Sequence, residues 1–134
     1  WRLETAPAGI APAAPVPRPE APAEALRDLL GDRSGRVLEV VRYHIDPAQR
    51  DAFLAAMREV RRVRRRAGAV SWRLYEDVAH PERWTELWAV PSWAEHLREE
   101  GRLTEGDRAT LARATALHTG GTPPEAARYL NVPP

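Results

Sequence analysis

The stretch from Ala69 to Leu97, AVSWRLYEDVAHPERWTELWAVPSWAEHL, constrains the fold more than any other part of the chain. It holds Trp72, Trp84, Trp88 and Trp93, four of the five tryptophans. Its alternation predicts two strands joined by a tight link and followed at once by a helix. In the first strand, over Val70 to Asp77, residues Val70, Trp72 and Leu74 point one way and Ser71, Arg73, Tyr75 and Asp77 the other. In the next, over Trp84 to Val90, residues Trp84, Glu86, Trp88 and Val90 oppose Thr85, Leu87 and Ala89. Both faces of the pair therefore carry apolar groups. Helices on one side would leave part of this surface open, and a homodimer through the sheet face is the commonest way to bury it.

The flanking segments predict what packs on this hairpin. Val37 to Tyr43, VLEVVRY, is rich in β-branched residues and reads as a strand. Asp46 then Pro47 predicts a helix start, because the carboxylate caps free amides and proline lacks only a donor that would be orphaned there. Phe53, Ala56, Met57, Val60, Val63 and Ala67 recur at helical spacing and form one apolar stripe, which Gly68 ends. Downstream, Ser92 caps a short helix from Trp93 to about Gly101, with Trp93 and Leu97 on its inner side. Thr104 with Asp107 resembles a capping box and opens a further helix to about His118. Gly120-Gly121 and Pro123-Pro124 end it, and Ala127 to Val132 reads as an edge strand. The order β-α-β-β-α-(α)-β predicts an α+β fold, a ferredoxin-like antiparallel sheet with helices on one face.

That domain spans residues 36–134. Residues 1–35 read as an Ala/Pro-rich flexible linker, with prolines at 7, 12, 15, 17, 19 and 22 that forbid a continuous helix. A short helical turn over Ala23 to Leu30, with Leu26, Leu29 and Leu30 on one face and Gly31 ending it, reads either as a docking segment or as part of a spacer. The first residue is Trp1 and the one methionine is Met57 in mid-chain, so the natural chain is expected to begin upstream. No apolar run approaches the ~18 residues that span a bilayer, and no secretion signal is evident.

Twenty basic against 19 acidic residues give a net charge of +1, which argues against a dedicated nucleic-acid binder. Charge is concentrated locally at Arg58, Arg61, Arg62, Arg65 and Arg66, read as a solvated helix face or as a patch for anionic lipid headgroups. No cysteine is present, so disulfides and thiolate metal sites are excluded. His44, His80 and His118 show no metal-ligand spacing, and neither a metal nor a cofactor is expected. Glu76, Asp77 and Glu86 lie on the hairpin, where two carboxylates facing each other would make an acid–base pair only with one of them buried; pairing with Arg73 or Arg83 at the surface is the expectation. There is no phosphate loop and no nucleotide fingerprint.

Trp72, Tyr75, Trp88, Trp93 and His96 form either the mouth of an aromatic-lined pocket or plain core. His96 reads in two ways: a proton-transfer group, with Trp72 beside it, were the chain an enzyme, or a hydrogen-bonded histidine at a helix–sheet boundary.

Asp46-Pro47, FLAAMREVRRVRRR (53–66), Gly68-Ala69, Trp72, Leu74-Tyr75-Glu76-Asp77, PSWAEHL (91–97), Asp107-Arg108-Ala109, His118 and Pro123-Pro124 together resemble the soluble C-terminal domain of major facilitator superfamily exporters. The resemblance is to the transmembrane secretion effector, enterobactin-exporter-like group, and covers about two thirds of the chain. It implies a non-catalytic accessory domain at the cytoplasmic face of a bacterial cell membrane, regulatory or ligand-sensing, with a membrane-embedded portion upstream of Trp1. The fold is also similar to the antibiotic-biosynthesis monooxygenase superfamily of dimeric α/β barrels. That likeness implies the alternative, a cofactor-free monooxygenase-like enzyme acting on an aromatic polyketide-type substrate through His96 and Trp72.

Overall fold

The computed structural model describes residues 16–30 and 35–134. The Pro-rich start before Val16 and the helix stop expected at Gly31 lie outside the described residues. The elements are α1 (Glu24–Leu30), β1 (Val37–His44), α2 (Arg50–Ala67), β2 (Ser71–Glu76), β3 (Arg83–Val90), α3 (Trp93–Arg102), α4 (Glu105–Thr115) and β4 (Glu125–Leu130). The four strands form one antiparallel sheet in the order β2-β3-β1-β4. This is the ferredoxin-like arrangement with an added helix, as the sequence predicts.

Local chemistry sets the boundaries. Asp46 Oδ1 accepts from the Ala48 amide at 2.9 Å, and Pro47 opens the turn. That first turn is a 3-10 turn over Pro47–Gln49 rather than α-helix, a common way to tighten a helix entrance. Phe53, Met57, Val60, Val63 and Ala67 are the buried stripe of α2. Phe53 packs edge-on to Tyr43 and tilted against Trp84, with centroids 5.2 and 5.4 Å apart, tying the helix to two strands. Truncating such a ring to alanine costs about 3–5 kcal/mol.

Gly68 ends α2 at φ +129°. A Cβ there would lie 2.7 Å from Arg102 Nη1, which donates to the Ala67 carbonyl at 3.0 Å, so glycine serves both the turn and the seating of α3. Thr104 and Asp107 form the predicted capping box: each backbone amide donates to the other's side chain, at 2.9 and 3.0 Å.

Two expectations are corrected. Leu97 is 63 % exposed; His96 and Glu99, not Leu97, accompany Trp93 on the inner side of α3. The closing strand runs over Glu125–Leu130 rather than 127–132, because its register is fixed by pairing Leu130 with Val37 and Glu125 with Arg42. Within the 1–35 segment α1 forms as the helical turn predicts and Leu30 is buried at 7 % exposure, so this part of the segment packs on the domain. Arg128 Nη2 also donates to the Glu20 carbonyl at 3.3 Å.

Candidate functional site

Register places the chemistry in rows across the helix-covered face. Trp72 pairs with Trp88, Trp88 with Glu39 and Glu39 with Arg128, so these four residues form one row from β2 to β4. The neighbouring row is Leu74, Glu86, Val41 and Ala126. Helices α2 and α3 lower Arg64, His96 and Glu99 onto these rows, producing two polar clusters.

Glu86 is the centre of the first and is fully buried. It accepts from Tyr43 Oη at 2.9 Å, Trp72 Nε1 at 2.9 Å, Arg64 Nε at 2.9 Å and Arg64 Nη2 at 3.4 Å. Surface pairing with Arg73 or Arg83 is therefore overturned; the carboxylate is an internal anion with an internal cation. Burial, then the neighbouring Glu86 charge, pushes the Tyr43 phenol well above its ordinary range. Burial opposes the Arg64 charge, but Glu86 outweighs it and raises the guanidinium. Arg64 also lies 3.7 Å over the Trp88 ring. The remaining hairpin acids stay outside: Glu76 pairs with Arg50, and Asp77 Oδ1 accepts from the Ala79 and His80 amides in the link.

The second cluster is built on His96. Its Nδ1 lies 3.2 Å from Glu39 Oε2 and 3.1 Å from Glu99 Oε1, while Arg128 Nη1 meets Nε2. Nδ1 carries the hydrogen that faces both carboxylates. Trp88 Nε1 donates to Glu99 Oε2 at 3.0 Å, and the Trp93 ring lies 4.7 Å from the imidazole. Burial pulls His96 down, but the two carboxylates outweigh it and push the imidazole up to about 9. Burial first, then Glu39, pushes Glu99 up to about 7. Glu39 is itself held below its ordinary value, because His96 and Glu99 hydrogen bonds outweigh its burial.

The five aromatic-pocket candidates do not converge. Trp72 and Trp88 are buried at 8 and 5 % exposure, with both indole N–H groups bonded to carboxylates, so they fill core. Tyr75 points to the opposite face and is 56 % exposed. Trp93 and His96 stay together on α3, and Trp88 reaches them through the Glu99 carboxylate. Trp72 lies two strands from Glu39, roughly 10 Å at ordinary strand spacing, so His96 and Trp72 do not form one catalytic pair. The structure instead opens a cleft of about 360 Å³ between α1 and β4, lined by Leu26, Leu30, Trp93, Arg128 and Leu130. No motif marked it, since its walls come from both ends of the chain.

Of the basic residues, Arg58, Arg61, Arg62, Arg65 and Arg66 are exposed. Arg66 pairs with Asp107, Arg62 with Glu59, and Arg61 lies 5.8 Å over the Trp72 ring. His118 Nδ1 accepts from the His44 amide at 2.9 Å, which is a backbone role.

The fold is shared with proteins of the antibiotic biosynthesis monooxygenase type. A putative enzyme of that name from Bordetella bronchiseptica superposes with a TM-score of 0.61 at 17 % identity, covering 73 % of this chain and 98 % of that one. One from Caulobacter crescentus gives 0.62 at 15 % identity, covering 75 % and 92 %. One from Nitrosomonas europaea gives 0.61 at 14 % identity, covering 76 % and 95 %. At these identities the likeness shows the fold alone. Comparison with curated proteins gives no match. Residues 8–133 match the model of the transmembrane secretion effector family, and the chain belongs to that family. Among the described residues no helix is long and apolar enough to cross a membrane.

Proposed function

We propose that this chain is a non-catalytic accessory domain of a membrane exporter, acting at the cytoplasmic face and pairing with a second copy through the open face of its sheet. The observation that carries the reading is the family match over residues 8–133 on a fold whose candidate catalytic tryptophan is spent on packing. The membrane-embedded portion would precede Trp1. Reading the coding sequence ahead of Trp1 tests this: successive apolar spans of about 20 residues support it, and an initiation codon directly before Trp1 sinks it.

Two features give the domain a way to act on a transporter. Its open face would bring two transporters together, and its exposed arginines on α2 would hold it against anionic headgroups, each contributing on the order of 1 kcal/mol near a charged surface. Flotation with vesicles containing phosphatidylserine should retain the domain at low salt and release it at high salt. No retention at low salt, or loss of none on replacing Arg58, Arg61 and Arg65 by glutamine, removes the lipid contact.

The second reading, a cofactor-free monooxygenase on an aromatic polyketide-type substrate, is favoured by the position of His96 beside Trp93 and by the fold likeness. It requires turnover that His96→Ala abolishes.

A further inference from the structure

Glu39, His96 and Glu99 come from two elements 57 residues apart in sequence and converge in a way that spacing along the chain does not announce. Their side chains are only 9, 15 and 13 % exposed. One ligand-type atom of each lies within 4.8 Å of the other two. The two carboxylates face a single Nδ1, which has one hydrogen to offer between them. Neighbouring cations are turned elsewhere: Arg64 is bonded to Glu86, and Arg128 meets the far nitrogen, Nε2.

The spacing also has the right size. Bonds of 2.0–2.1 Å place neighbouring ligands about 3.3 Å apart in a tetrahedral zinc site and about 2.9 Å apart in an octahedral one. The Nδ1 separations of 3.2 and 3.1 Å fall between these values. We propose that Glu39, His96 and Glu99 bind a divalent transition-metal ion of the zinc class, the metal replacing the hydrogen that Nδ1 now shares with the carboxylates.

The surroundings supply an outer shell. Trp88 Nε1 holds the other oxygen of Glu99, Oε2, and so fixes the rotation of that carboxylate. A metal on Nδ1 requires the imidazole hydrogen on Nε2 and adds positive charge beside Arg128 Nη1, which meets that nitrogen. Arg128 must then turn away, towards the Glu20 carbonyl and the Trp93 ring that it already approaches at 3.3 and 5.4 Å. Metal loading is thereby coupled to the contact between β4 and the segment ahead of α1. Three protein ligands and a displaced arginine place affinity in the micromolar range rather than that of a closed four-ligand site.

Titration calorimetry with zinc chloride in a non-chelating buffer tests the site. Wild type should take up one equivalent with a micromolar Kd. Glu39→Gln, Glu99→Gln and His96→Gln should each weaken binding at least about tenfold, with folding checked by circular dichroism. The double variant His44→Ala/His80→Ala, which removes two exposed histidines, should bind as wild type does. Cobalt(II) should give a visible absorption band that Glu99→Gln abolishes, a readout that decides the matter should His96→Gln fail to fold. No saturable zinc binding up to about 1 mM, or one-equivalent binding that survives Glu99→Gln and His96→Gln, overturns the proposal and leaves the cluster holding only protons.

Discussion

The helix-covered face of the sheet and its open face are built from alternate residues of the same four strands, yet they meet opposite needs. On the covered face Glu86, Glu39, Trp72 and Trp88 find their partners within the chain. The open face presents the rows Ser71, Ala89, Leu38, Tyr129 and Arg73, Leu87, Val40, Ala127. Val40 and Ala89 in its centre are already screened, at 3 and 8 % exposure, whereas Tyr75 and Tyr129 on its flanks are 56 and 51 % exposed. Polar groups that cannot reach water must be satisfied where they stand, so the covered face is closed chemistry. Apolar groups on a flat surface carry no such demand, and a second chain can answer them.

The largest expected effect lies on the covered face. Glu86→Ala strands the Arg64 charge and leaves Tyr43 and Trp72 without an acceptor, so urea unfolding should show a loss of about 3–5 kcal/mol. A loss below about 1 kcal/mol would mean that the cluster opens to water and that the two faces differ less than the geometry shows.

A smaller effect separates the two clusters of that face. Glu99 rises from 4.5 to about 7 on folding and His96 from 6.5 to about 9. In both cases the folded state holds its proton more tightly than the unfolded one. The Glu99 contribution is therefore full below pH 4.5 and lost as pH rises through about 7; that of His96 is full below pH 6.5 and lost through about 9. Tm should fall between pH 6 and 9 by roughly 5 °C, and Glu99→Gln should flatten the lower part of that fall. A Tm that rises over this interval contradicts the charge assignment.

The smallest effect belongs to the open face. Tyr75→Ser and Tyr129→Ser should change the unfolding free energy of the dilute chain by no more than about 0.5 kcal/mol, because neither ring supports the fold of a single copy. A loss above about 2 kcal/mol would show that these rings belong to the core.

Much of this was legible in the sequence, for identifiable reasons. Capping groups act within four residues, so Asp46, Ser92 and Thr104 announced their helices. Period-two alternation placed Glu86 on the same side as Trp84 and Trp88, which was already the signal of an internal carboxylate. Its counterion, Arg64, lies 22 residues away among outward-facing arginines, so nothing local to the hairpin points to an internal ion pair. Glu39 was hidden in an apolar strand, and nothing local ties it to a histidine 57 residues on. The aromatic pocket failed for a different reason: residue type gave five rings, but alternation sends Tyr75 to the open face. His96 at a helix–sheet boundary was readable, whereas its two carboxylate partners were not.

Light scattering behind size exclusion at micromolar concentration tests the central claim most directly. A chain of 15.0 kDa that pairs through its open face should elute with twice that mass, and Leu87→Arg should return it to the single mass with its circular dichroism unchanged. A strict monomer at that concentration, or a dimer indifferent to Leu87→Arg, contradicts the account.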